Sequence, residues 1–161
     1  MNLILPSLIA PRMRFDVEHV RKGKVIWKGS FFNVVTTVGK TDLLDKYLKG
    51  SAYTAAWYLG LAGAGTKAVG DTLASHAGWT EVNPYTGNRP AITWGTTSGG
   101  SNTASQISFS CTGSATVAGF FVCSVNTGTS GTMYNVVDFS GGSRAVVNLD
   151  TLNVTPTLAI T

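Results

Sequence analysis

Apolar and polar positions alternate along the first long stretch of the chain in the way that is typical of a half-exposed β-strand. In "RFDVEHV" the odd-numbered residues Phe15 to His19 fall on one face, and the even-numbered residues Asp16 to Val20 fall on the other. A second β-prone run, "KVIWKGSFFNVV", follows the connection "RKGK", whose glycine suits a tight turn. We therefore predict a β-hairpin over residues 12–38.

Short apolar runs separated by Gly, Ser, Thr and Asn fill the second half of the chain. The clearest is "DTLNVTPTLAIT", where the even-numbered residues from Leu152 to Ile160 alternate with polar or small ones. Pro156 inside this run predicts an edge strand or a bulge. Many short strands with polar turns are typical of an antiparallel sandwich or barrel. We predict a mainly β fold, an antiparallel β-sandwich of jelly-roll character, forming one domain over residues 12–161.

One segment, "GKTDLLDKYLKG", carries the signals of a helix. Thr41 is suited to the N-cap, and Gly50 is suited to the left-handed position after the last turn. Leu44 and Leu48 are one turn apart and form an apolar stripe. We predict a helix over residues 41–49 whose stripe lies on a sheet.

The same segment raises the question of a nucleotide site, because Gly39-Lys40-Thr41 matches the end of a phosphate-binding loop. Such a loop needs an earlier glycine for the turn that wraps the phosphates, and Val34 occupies that position. The chain also lacks the alternating strands and helices of the parallel sheet that carries such loops. The pattern therefore indicates a helix start.

Charge is sparse and unevenly placed. Only 12% of residues are charged, against about 25% in an average globular protein. Nine of the twelve basic residues lie within residues 1–50, together with four of the eight acidic ones. The basic hairpin could bind nucleic acid, but it lacks interleaved aromatic residues and a known motif, so a solvated face or a protein contact is favoured.

The start of the chain, "MNLILPSLIAP", differs from a secretory signal. Its apolar stretch is short, Pro6 interrupts it, and the positive charges follow it. No run in the chain reaches the roughly 20 apolar residues that a membrane-spanning helix needs. Two prolines predict an extended N-terminal arm over residues 1–11. We expect a soluble protein made in the cytosol, with no membrane partner.

Residues that commonly carry catalysis are scattered. His19 and His76 lie far apart in sequence, and Ser75 is not in a G-x-S-x-G elbow. The acids do not form the converging pair of a glycosidase, and a metal site would need more ligands of suitable spacing. Cys111 and Cys123 alternate with apolar residues and are predicted to be reduced core residues. We predict no enzymatic activity, no metal site and no cofactor.

Aromatic residues gather around the loop "ASHAGWTEVNPYTGNRP". Trp and Tyr in a long loop can fix it by packing, or can anchor an interface or a sugar. Both interpretations stay open at this point. With the basic hairpin, these residues give the candidate partner contacts, which are Arg12, Arg14, Arg21, Lys22, Lys24, Lys28, Trp79 and Tyr85.

Several of these segments carry a resemblance to a known group of proteins. "GKTDLLDKYLKGSAYTAAWYLGLAGAG", "DTLASHAGWTE", Tyr85, "RPAITWG" and "DTLNVTPTLAIT" resemble small β-rich structural proteins of tailed bacteriophages, which include capsid decoration or cement proteins. The similarity covers roughly Gly39 to the C-terminus, and none of the matching residues is catalytic.

The resemblance implies a place on the surface of the virion head after synthesis in the host cytoplasm. It implies that the partners are the major capsid protein and further copies of this chain, with a homotrimer expected, and that nucleic acid is not contacted directly. Two alternatives remain: a tail or fibre component, and a carbohydrate-binding module that uses Trp79, Tyr85 and Trp94.

Overall fold

A hairpin forms at the start of the chain, in the larger of the two main antiparallel sheets, but it ends at Phe32: the last residues of the predicted range 12–38 belong to the other main sheet and to the helix. The computed structural model describes residues 11–52 and 56–160, so residues 1–10 of the predicted arm lie outside it. Its elements are β1 (Pro11–Arg21), β2 (Lys24–Phe32), β3 (Val34–Val35), α1 (Thr37–Tyr47), β4 (Tyr58–Ala62), β5 (Ser101–Thr103), β6 (Ile107–Ser110), β7 (Ala115–Val117), β8 (Gly119–Cys123), β9 (Met133–Asp138), β10 (Arg144–Val146) and β11 (Thr151–Ile160). The fold is mainly β with antiparallel sheets and one short helix among the described residues, as predicted.

The larger sheet has the order β2-β1-β11-β5, and β6 also pairs with β11. The smaller sheet has the order β3-β9-β8-β4, while β7 and β10 form a separate pair. The β1–β11 ladder is the longest, running from Pro11 opposite Ile160 to Val20 opposite Thr151. The jelly-roll connectivity stays a prediction.

The core lies between the two sheets. Met13, Phe15 and Val17 of β1 are at most 2% exposed, which places the predicted odd-numbered face inside. The ring of Phe15 stacks on that of Phe120 in β8, with centroids 5.9 Å apart. A single buried cluster contains residues of both sheets, so the apolar faces of the two sheets cover each other.

The strand β8 and the first five residues of β9 are buried on both faces, which explains the continuously apolar sequence of β8. All five residues of β8 are buried. A second cluster on the outer face of this sheet joins Phe121 and Val136 to Trp79 and Leu73 of the segment that follows β4. That segment therefore forms a third layer at this place.

The helix differs from the prediction at both ends and in its orientation. It spans Thr37–Tyr47, and its N-cap is Thr36, whose hydroxyl accepts from the Gly39 amide at 3.1 Å. Thr41 therefore lies inside the helix, and the predicted bounds and cap are wrong. The predicted left-handed Gly50 is confirmed, with φ of 71°.

The prediction that the leucine stripe of α1 lies on a sheet is also wrong. Leu44 is 54% exposed and Leu48 is 71% exposed, whereas Gly39 is the helix's buried residue. A Cβ at Gly39 would lie 2.2 Å from the carbonyl oxygen of Tyr134 in β9. The helix approaches the sheet most closely at this glycine in its first turn, so Leu44 and Leu48 remain exposed.

Pro156 lies in an inner strand, contrary to the prediction of an edge strand. The alternative of a bulge agrees with the pairing on one side of β11, where residues 155–156 lie opposite the three residues 104–106. β11 pairs with β1 along one side without a register shift. On its other side, β6 pairs only as far as Val154, and β5 begins to pair at Thr157. The missing N–H of Pro156 falls in the gap between these two strands, so no ladder hydrogen bond is lost.

Candidate partner-binding surfaces

The basic side chains of the β1–β2 hairpin are partly neutralised by neighbouring acids. Arg14 pairs with Asp16 on the same strand, and Lys28 pairs with Glu18 across the hairpin at 2.6 Å. Such exposed pairs contribute little stability but reduce the positive charge that a partner meets.

Positive charge that lacks an ion pair within the described residues concentrates at the two ends of this hairpin. Lys22 and Lys24 are exposed beside Gly23 in the turn, and Lys22 itself takes the left-handed conformation, with φ of 50°. At the other end, the guanidinium of Arg12 lies over the exposed ring of Phe32, 4.9 Å from its centroid. These residues are the free part of the predicted basic surface.

Arg21, a predicted contact residue, is partly exposed and pairs with the buried Asp150. It donates to both carboxylate oxygens of Asp150, at 2.8 and 2.7 Å. His19 Nε2 lies 2.8 Å from the same carboxylate, and the amide of Val147 donates to it at 2.9 Å. Arg21 holds the pKa of Asp150 well below its usual range through its hydrogen bonds. The cluster fastens the start of β11 to β1.

Asp150 was missed by the sequence analysis. The alternation had placed His19 on the apolar face with Phe15, and the structure confirms that His19 is 3% exposed. A buried histidine requires a hydrogen-bond partner, which is the signal that could have prompted a search for an acid. The partner is 131 residues away, so no local pattern identifies it.

Trp79 is buried, which corrects its assignment as a partner contact. It is 4% exposed, its indole N–H donates to Asp71 at 2.8 Å, and the ring of His76 stacks on it at 4.2 Å. Its ring faces Phe121 of β8. A side chain this deeply buried cannot stack on a sugar in this fold.

Tyr85, another predicted partner contact, packs against the core. Its ring meets the edge of Phe109 at 5.0 Å, and burial raises the pKa of its hydroxyl to about 12. Of the three aromatic residues considered for sugar binding, Trp94 lines an open cavity to which Trp79 and Tyr85 do not contribute.

Arg89 fixes the long connection between β4 and β5, and the sequence analysis missed it. Its guanidinium forms a two-point pair with Glu81 at 2.8 and 2.6 Å and is 6% exposed as a residue. It also donates to the carbonyl oxygens of Val125 and Gly128 in the β8–β9 connection. Arg89 thereby links the two loops. Its hydrogen bonds to Glu81 raise the pKa of the Arg89 guanidinium.

An apolar groove opens at the end of the sandwich where β1 begins. Met13, Leu158 and Ile160 line it from the larger sheet, and Leu43, Trp57 and Trp94 line it from the helix and the loops. Its volume is about 440 Å³. We call this cavity the end groove.

The exposed side of α1 extends this apolar surface. Leu43 lines the end groove and is 36% exposed, while Tyr47 is 83% exposed. Contiguous apolar surface of this kind commonly marks an interaction site. The end groove and the free hairpin cations are therefore the surfaces of this fold that best suit a partner.

The chain matches no protein-family model, and no match was found among curated proteins. Within residues 11–52 and 56–160, no three His, Cys, Asp or Glu side chains lie together in a way that could hold a metal ion. No helix in those ranges is long and apolar enough to cross a membrane.

The backbone amides at the start of the Gly39-Lys40-Thr41 segment form hydrogen bonds within the helix. The amides of Gly39 and Lys40 both donate to Thr36, to its hydroxyl and its carbonyl oxygen respectively. The close approach of Gly39 to Tyr134 leaves no space for a phosphate on that side. This geometry agrees with the interpretation of the segment as a helix start.

Proposed function

We propose that this protein is a structural component of a tailed-bacteriophage virion, a capsid decoration protein that binds and stabilises the head shell. One observation carries the proposal: the segments that resemble phage structural proteins build the framework of the fold. Gly39 seats the helix on β9, and Trp79 closes the third layer through Asp71. Arg89 of "RPAITWG" ties two loops together, and "DTLNVTPTLAIT" is the inner strand β11.

A cement protein needs a rigid body with a surface that becomes buried on assembly. The inner strands, the Asp150 cluster and the Arg89 clamp supply the rigidity, because each fixes elements that are distant in sequence. The end groove supplies apolar surface that can be buried. The proposal assigns the protein no enzymatic activity.

Charge gives the expected orientation on the capsid. The cations at the hairpin turn, Lys22 and Lys24, are exposed and favour an acidic face of the major capsid protein. Exposed charges of this kind are screened by salt, so binding through them weakens as ionic strength rises.

Co-sedimentation with undecorated capsids and, separately, with purified tails tests the proposal. We expect saturable binding to heads. The number of bound copies per head should be a multiple of the number of symmetry-equivalent positions on the capsid. Lys24→Glu should weaken head binding at low salt. Lys40→Glu is the matched control, because it makes the same charge change on the exposed surface of α1.

The outcomes separate the alternatives. Binding to tails alone would overturn decoration and support a tail or fibre component. Binding to neither particle would overturn a virion role for this chain, and a glycan array would then be the next measurement. Equal loss of head binding in both charge variants would show that the hairpin turn is not the contact.

A further inference from the structure

The end groove has the chemistry of a binding site for an uncharged aliphatic segment. Met13, Leu158 and Ile160 form one wall, and Trp57 forms part of the other by packing against Tyr134 at 5.4 Å. The volume of about 440 Å³ lies within the range of roughly 300–1,000 Å³ that is usual for pockets that bury a ligand. Asp42 and Lys46 are the charged side chains among its lining residues, and they lie 3.7 Å apart as an ion pair.

The first ten residues of the chain have the complementary composition. "MNLILPSLIA" contains no charged side chain, and half of its residues are Leu or Ile. This segment enters the fold at Pro11, which pairs with the groove residue Ile160. Each copy therefore carries an apolar segment at the border of an apolar groove.

The geometry points to exchange between copies. Residues Pro11 and Met13 lie on the groove side of β1, and the chain leaves the sheet at the groove end. Leu5 and Ala10 each precede a proline, which favours extended backbone at both positions. At about 3.1 Å per residue, ten extended residues reach about 30 Å. An extended segment of that length is long enough to reach a neighbouring copy.

We propose that the end groove of one copy binds residues 1–10 of a second copy. Each copy has one segment and one groove, so every groove is filled when the copies form a closed assembly, either a reciprocal dimer or a larger ring. This assigns a surface to the self-association named in the proposed function. It is tested with the purified protein alone, so it can fail while capsid binding stands.

A complementation experiment with two full-length variants tests the exchange. The segment variant carries Leu5→Glu and Leu8→Glu, and the groove variant carries Leu43→Glu at a position that is 36% exposed on α1. The mass of each sample is measured by size-exclusion chromatography with light scattering. Wild-type protein should exceed the 16.9 kDa of one chain, and each variant alone should fall to that mass.

An equimolar mixture of the two variants gives the decisive result. The intact segment of the groove variant should fill the intact groove of the segment variant, which yields a dimer with one contact. Val25→Glu is the matched control, because Val25 is 45% exposed at the opposite end of the larger sheet, and its mass should equal that of the wild type.

Three outcomes would overturn the exchange. The first is a wild-type protein of single-chain mass, which would favour docking of the segment in its own groove or no docking. The second is a mixture that stays at single-chain mass. The third is an equal effect of Val25→Glu. If circular dichroism shows that Leu43→Glu does not fold, Ile160→Glu at the groove border takes its place.

Discussion

Removing the charge of Asp150 should destabilise the fold far more than removing a surface carboxylate. The side chain of Asp150 is 1% exposed and faces Arg21 and His19, so Asp150→Asn leaves two polar groups without their acceptor charge. Breaking a buried ion pair by removing one partner costs about 3–5 kcal/mol. Arg21 is 38% exposed and can be hydrated after the change, so we expect about 3 kcal/mol. For a chain of this size that corresponds to a fall in Tm of roughly 6–12 °C.

Urea denaturation at neutral pH measures this free energy, with Asp45→Asn as the control. Asp45 pairs with Lys49 on the surface of α1, where both side chains are more than a third exposed. That pair should contribute little to the free energy of unfolding. A double-mutant cycle with Arg21→Gln then isolates the coupling between Arg21 and Asp150, which we expect to exceed the coupling between Asp45 and Lys49.

The pH dependence provides a second and independent readout of the same cluster. The pKa of Asp150 is lowered in the fold, so at moderately acidic pH the unfolded chain binds a proton at this residue and the native chain does not. The stability that the carboxylate contributes is present above its unfolded pKa of about 3.9 and is lost as the pH falls below it. The difference in free energy of unfolding between wild type and Asp150→Asn should narrow by about 1 kcal/mol from pH 6 to pH 3. This account is refuted if Asp150→Asn lowers the free energy of unfolding at pH 6 no more than Asp45→Asn does. It is also refuted if the difference between wild type and Asp150→Asn stays the same at pH 3.

Two further changes test the packing of the fold. Gly39→Ala should lower the free energy of unfolding by about 1–3 kcal/mol, because its Cβ would overlap the carbonyl oxygen of Tyr134. Gly70→Ala is the control and should be close to neutral, because a Cβ at this position meets no atom within 4 Å. Equal stability of the two variants in a urea titration would contradict the contact between Gly39 and Tyr134. Burial raises the pKa of Cys111 to about 11 and also raises that of Cys123, so native protein should not react with a thiol reagent at pH 8, whereas urea-unfolded protein should react at both residues; a fast reaction of the native protein would show that the core opens locally.

Patterns confined to one strand were readable from the sequence. The alternation from Phe15 to His19 gave the buried face of β1, and the alternation in β11 gave its buried face from Leu152 to Pro156, whereas Ile160 at the end of the strand is exposed. A strand with one face in the core and one face exposed has a period of two, and this period survives whatever the strand pairs with.

Features that depend on a partner element were not readable. The leucines of α1 gave an amphipathic pattern, yet the helix is seated by Gly39, and only the position of β9 decides this. Pro156 signals an edge strand by itself, but β11 tolerates it because two different strands share its side. The buried face of a helix and the cost of a missing N–H both depend on what lies opposite.

The sequence by itself therefore determined the mainly β class, the faces of its longest strands and the composition of the N-terminal segment, because these follow from local periodicity and residue chemistry. The tertiary structure alone decided which charges are buried together and where apolar surface remains open. His19 and Arg21 meet Asp150, and Arg89 meets the loop at Gly128, across long stretches of chain. The end groove likewise exists only because the helix, two loops and the ends of β1 and β11 converge at one place.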